Sequence, residues 1–121
     1  MSILIPKNFE RFKSKPPTLE ALLEPFTNIL KVKQQEYVNE MIIETKFLTD
    51  DGKQAVKFAD LLAKENTTVV FGKLERGIYS IRCTLNYANT SSPKVIKDRI
   101  TELYHLGQDN NCFLHKLELS N

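Results

Sequence analysis

Cys112 and His115 stand three positions apart near the end of the chain, and they are residue types that nucleophilic and metal chemistry uses. An imidazole can take a thiol's proton, and the same pair can begin a metal site. The run that holds them, residues 112–119, reads as a β-strand, with Phe113, Leu117 and Leu119 expected on the inward face. Side chains three apart on a regular strand point to opposite faces, so the two neither share a metal nor pair as nucleophile and base. His115 has the parity of Phe113 and Leu117, which predicts a buried, hydrogen-bonded histidine. His105 falls near the end of a predicted helix, where its cationic form suits the helix dipole.

The acidic pair Asp50-Asp51 lacks a third ligand nearby, and Asp51 followed by Gln54 has capping-box spacing. Two carboxylates would repel a phosphate at that loop. No Walker loop, dinucleotide fingerprint, zincin motif or G-x-S-x-G is present. The expectation is a protein with no catalytic residue, no cofactor and no resident metal.

Basic residues give a second chemistry, nucleic-acid contact. Residues 1–17 carry Lys7, Arg11, Lys13 and Lys15 against Glu10, so the rest of the chain holds −1 of the total of +2. A near-neutral body lacks the concentrated basic face of a duplex binder. The run Arg76-Gly77-Ile78-Tyr79-Ser80-Ile81-Arg82-Cys83 meets a base-stacking signature only at its first two positions and at Ile81. Its aromatic, Tyr79, falls on the covered face. Single-stranded RNA or DNA bound through Lys7, Arg11, Lys13, Lys15, Lys46 and Arg82 is therefore the alternative reading.

The elements that position these residues are legible from periodicity. Residues 1–17 form a leader with an apolar start, residues 3–5, and a Pro16-Pro17 pair that a helix cannot cross backwards. Two readings compete for it, a basic arm for an acidic partner and a partly ordered segment lying along the domain. The second is favoured. Residues 18–36 follow as a helical extension. Thr18 can cap it, Leu19, Leu22, Leu23, Phe26, Ile29 and Leu30 make one stripe, and Pro25 predicts a kink or two short helices.

Residues 37–48 alternate as a first strand, and Asp51 opens a helix burying Ala55, Phe58, Ala59 and Leu62, with Asn66 at its exit. Residues 67–85 read as two strands joined through Glu75, Arg76 and Gly77, a type I turn followed by a left-handed residue. Tyr79, Ile81, Cys83, Leu85 and Tyr87 share one face, while Ser80, Arg82 and Thr84 share the other. A polar loop over residues 86–91 leads to Ser92-Pro93, a serine cap with proline at the first helical position. Ile96, Ile100 and Leu103 form the stripe of that helix, and Gly107 is expected to stop it.

From residue 37 the order is β-α-β-β-α-β, which predicts a ferredoxin-like α+β fold: a four-stranded antiparallel sheet with two helices on one face. The first and third strands would be central. The helical extension could cover the open sheet face, widen the helical layer or pack on a second subunit. With 121 residues, 41% of them hydrophobic and 26% charged, the chain suits a single globular domain, residues 18–121, behind its leader. No run approaches the roughly eighteen apolar residues of a membrane span, and residues 1–10 offer no signal-peptide core. A cytoplasmic location without membrane contact is expected, and the sequons at Asn66 and Asn89 are discounted with it. Cys83 and Cys112 would then be reduced thiols on strands too far apart to bridge.

What remains is interaction. Thr68, Val70 and Phe71 lie on a predicted edge strand with no proline and no charge before Lys73, so the usual guards against pairing are missing. The expected function is a small non-enzymatic interaction or regulatory module that binds another macromolecule, as a homo-oligomer or with a protein partner.

Overall fold

Residues 40–49 alternate inward Met41, Ile43, Thr45 and Phe47 with outward Ile42, Glu44, Lys46 and Leu48, and this strand, β1 (Glu40–Thr49), is the spine of the molecule. The computed structural model describes residues 6, 8–36, 40–65 and 67–120. Lys7, Tyr37, Asn66 and residues 3–5, on which some expectations rest, lie outside them. The other elements are α1 (Phe9–Ser14), α2 (Leu19–Glu36), α3 (Gly52–Ala63), β2 (Thr68–Lys73), β3 (Tyr79–Ala88), α4 (Pro93–Asp109) and β4 (Phe113–Ser120).

The architecture is α+β. One four-stranded sheet runs β2-β3-β1-β4 with every neighbouring pair antiparallel, so β1 and β3 are central and β2 and β4 are edges. One face carries the core, where Met41, Ile43, Phe47, Ile81, Cys83, Leu85 and Leu114 meet Phe58 and Leu62 of α3 and Ile96, Ile100 and Leu103 of α4. Phe47 and Phe58 pack edge to face at 4.8 Å, and truncating either to alanine is of the kind that costs about 3–5 kcal/mol.

The helical extension widens this layer. Phe26 and Leu30 of α2 are buried in the same core, and α2 packs on α4 and β4. Thr18 accepts from the amide of Ala21 at 3.1 Å, the cap its sequence suggests. The helix then runs unbroken through Pro25 to Glu36, so the expected division into two short helices does not occur. Tertiary burial on either side of Pro25 outweighs the one backbone bond it removes. Asp51 caps α3 by accepting from the amides of Lys53 and Gln54, and Ser92 caps α4 through that of Lys94.

Four local expectations are corrected. The β2–β3 turn places both Arg76 (φ 61°) and Gly77 (φ 70°) in the left-handed region, with the Ile78 amide donating to the Glu75 carbonyl. That is the mirror-image turn, whose twist suits a hairpin better than a type I turn does. Gly107 does not end α4, which continues to Asp109 and is capped at Asn110, with Asn111 held at φ 55° after it. In β4 the register shifts between Lys46 and Phe47, so His115 is an extra residue and the alternation slips. Leu114 takes the core position opposite Phe47, while Phe113 pairs with Leu48 on the other face. The loop after β3 is also shorter than the sequence suggests, because pairing with β1 extends to Ala88.

Candidate functional site

The candidate edge is a true edge. Among the described residues β2 has β3 on one side only, in the register Thr68↔Thr84, Val70↔Arg82 and Phe71↔Ile81. Val70 and Phe71 are each 43% exposed and project from opposite faces, and Thr68 is exposed beside them. Phe71 stacks on Tyr79 of β3 with ring centroids 5.8 Å apart and planes 28° from parallel. A branched and an aromatic side chain on an unpaired strand end present apolar surface beside unmatched backbone groups.

The sheet face opposite the core carries Glu44, Lys46, Arg82, Lys116 and Glu118, as their register predicts. The cations there are engaged. Lys46 is only 8% exposed, and its Nζ donates to Glu118 Oε1 at 2.9 Å; Lys116 reaches the same oxygen at 3.2 Å. Arg82 lies 3.7 Å from Glu44. The hydrogen bond from Lys46 holds the Glu118 carboxyl below its ordinary range, with Lys116 adding to it.

The other described candidate nucleic-acid contacts lie on and beside α1. Lys13 pairs with Asp50 at 3.3 Å, while Arg11 and Lys15 are exposed on and beside α1. Of the five described cations named by the sequence, Lys13, Lys46 and Arg82 are each held beside a carboxylate. Lys46 and Arg82 are spent on carboxylates of their own sheet.

The thiol and the imidazoles stay apart. Cys112 is buried in the core, where its Sγ lies near the carbonyls of Asn110 and Gln54, and burial pushes its pKa up to about 12. Cys83 is also buried, and burial raises its thiol too, against the opposing hydrogen bonds from Thr67 and Thr45. His115 is half-buried on the opposite face, its ring 5.5 Å from that of Phe12, which corrects the expected core histidine. The bulge turns it away from Leu117. His105 is exposed on α4, edge-on to Tyr104. Among the described residues no three His, Cys, Asp or Glu side chains gather as a metal site requires.

Two surface clefts were not legible in the sequence, because each is assembled from distant segments. One, of about 390 Å³, is lined by Glu65, Thr67, Thr68, Thr84, Tyr87 and Arg99, among others. Arg99 is clamped there by Glu65 and by Glu102 at 3.1 Å. Burial opposes its charge, but the two carboxylates outweigh that and raise its pKa. The other, of about 460 Å³, lies between α2 and Lys97. Neither contains Cys112, His105 or His115. No helix among the described residues is long and apolar enough to cross a membrane. No protein-family model, curated protein or solved structure matches this chain.

Proposed function

We propose that this protein is a small non-enzymatic interaction module that binds another protein chain through the free edge of β2, in the first place a second copy of itself. The observation that carries this reading is the exposure of Val70 and Phe71 on an edge strand without a charged guard before Lys73. Antiparallel addition of a second β2 would continue the sheet across a two-fold axis. Val70 lies near the middle of the six-residue strand, so a symmetric pairing centred there sets Val70 against its own copy and Phe71 against Val69. The separation of Cys112, His105 and His115 supports a role without catalysis.

The same reading takes residues 40–120 as a ferredoxin-like unit. The order β1-α3-β2-β3-α4-β4 with β2 and β4 at the edges supports it, and α2 is then a third helix added beside α4. Of the two edges, β2 is the one with exposed large hydrophobics, Val70 and Phe71.

Light scattering across a range of concentrations tests the proposal. The expected result is a dimer that Val70→Lys converts to a monomer with an unchanged circular dichroism spectrum, because two ammonium groups would meet at the axis. A wild-type chain that remains monomeric at high concentration, or a dimer indifferent to Val70→Lys, would overturn pairing through β2.

A further inference from the structure

The sheet face opposite the core is not uniformly open. At one end Leu48 is completely buried although it points away from α3 and α4, and Ile78 and Ser80 nearly match it. Against the β4 side of this end lies α1. Its Phe12 ring meets Phe113 edge-on at 6.4 Å and His115 at 5.5 Å, and Phe9 lies 5.4 Å from Phe12. Lys13 bridges to Asp50 at the end of β1, and Arg76 donates to the Pro6 carbonyl at 3.5 Å.

Seat and occupant are unequal. The seat consists of side chains fixed by the sheet. The occupant is a six-residue helix with no buried residue, too short to hold itself together without the surface beneath it. Asn8 caps it by accepting from the Arg11 amide, so its helical start is set locally.

Its link to the domain is Lys15-Pro16-Pro17, two prolines that favour an extended and stiff chain. The domain end of that link is fixed where the Tyr104 hydroxyl donates to the Pro17 carbonyl at 3.1 Å. A small element on a stiff hinge makes the same contacts in its own seat as in a neighbour's, which is the condition for exchange between copies.

We infer that the surface formed by Leu48, Phe113 and His115 is a docking seat for a short helix bearing two aromatics three positions apart followed by lysine, and that α1 of a second copy is its exchangeable occupant. The seat uses β1 and β4 rather than β2, so this stands independently of edge pairing.

Two full-length variants of different mass, Lys13→Cys and Asp50→Cys, test it when mixed and mildly oxidised. Cys83 and Cys112 are buried and do not compete for oxidation in the folded chain. Exchange predicts a mixed disulfide linking the two variants above the level of like-with-like links. It should grow with concentration and fall when a peptide of residues 6–17 is added in excess.

An arm confined to its own domain leaves the two cysteines on different molecules apart, and links no more frequent than random would overturn exchange. A dimer paired only through β2 also gives no such excess, so the two readings separate. As a second measurement, a fluorescent peptide of residues 6–17 should bind full-length Phe12→Ala at least about tenfold more tightly than wild type, because the resident arm no longer competes. Equal binding to both, or none to either, would remove the seat.

Discussion

A Cβ placed on Gly107 would stand 2.5 Å from the carbonyl oxygen of Cys112 and 2.9 Å from the ring of Phe47. The chain leaves α4 and turns into β4 so tightly that the Cys112 amide donates to the Gly107 carbonyl at 2.8 Å. Glycine at this point serves close approach, since the helix continues past it. Alanine is the better helix former by about 1 kcal/mol, yet the obstructing atom is backbone and cannot swing aside. Gly107→Ala is therefore expected to destabilise by about 2–3 kcal/mol. Its urea midpoint should fall well below that of wild type; an equal or higher midpoint would contradict the contact.

Gly107 also shows where reading the sequence stops. A glycine after an apolar stripe has the same appearance whether it ends a helix or lets a strand pass close by. The signal that ends α4 is Asn110, whose side chain donates to the Leu106 carbonyl, with Asn111 left-handed after it. The strands, caps and edge position of β2 were legible because alternation, Asp51, Ser92 and element order are local or topological. The bulge at His115 was not, since it depends on the register β4 finds against β1. Nor was the seat of Phe12 on Phe113, a contact between residues about a hundred apart in sequence that no periodicity reports.

Lys46 and Glu118 predict an asymmetry. Lys46 is largely buried and Glu118 is partly exposed, so removing one is unlike removing the other. Glu118→Ala strands a largely buried ammonium in the sheet and should cost about 1–2 kcal/mol. Lys46→Met replaces the stem with an apolar one of similar length and should cost under about 1 kcal/mol. Denaturant titrations of both variants decide the order, and a larger loss for Lys46→Met would contradict it.

The same pair sets a pH dependence. The Glu118 value is lowered in the fold, so its contribution is present above the ordinary carboxylate range and is lost as pH falls through the depressed value. Between neutral and acidic pH, wild type should lose more stability than Glu118→Gln. Parallel pH profiles of the thermal midpoint would show that the hydrogen bond from Lys46 contributes nothing.

The two thiols predict the opposite sign at high pH. Burial raises Cys112 to about 12 and raises Cys83 in the same direction. A raised value favours the protonated form, so the stability it confers is intact below the ordinary thiol range and declines as pH rises toward 12. Cys112→Ala should flatten the alkaline limb of the stability profile at a cost in packing at neutral pH. An aromatic disulfide reagent should label neither cysteine in native buffer and both in concentrated urea. Rapid labelling of the folded protein would contradict their burial.

Phe71 separates what the edge does for its own chain from what it does for a partner. Its ring rests on Tyr79 of the adjacent strand, a contact of about 0.5–1.5 kcal/mol in pairs of this geometry, and its other side is exposed. In a Val70→Lys background, where edge pairing is blocked, Phe71→Ala should destabilise the monomer by about 1 kcal/mol through loss of that stacking. Under the proposed pairing the same change in the otherwise wild-type chain should also weaken association by about tenfold or more, because Phe71 would face Val69 of the second copy. Comparing urea midpoints in the first background with sedimentation equilibrium in the second assigns the two roles. If Phe71→Ala lowers monomer stability and leaves association unchanged, the ring belongs to its own sheet alone and the partner does not bind across it.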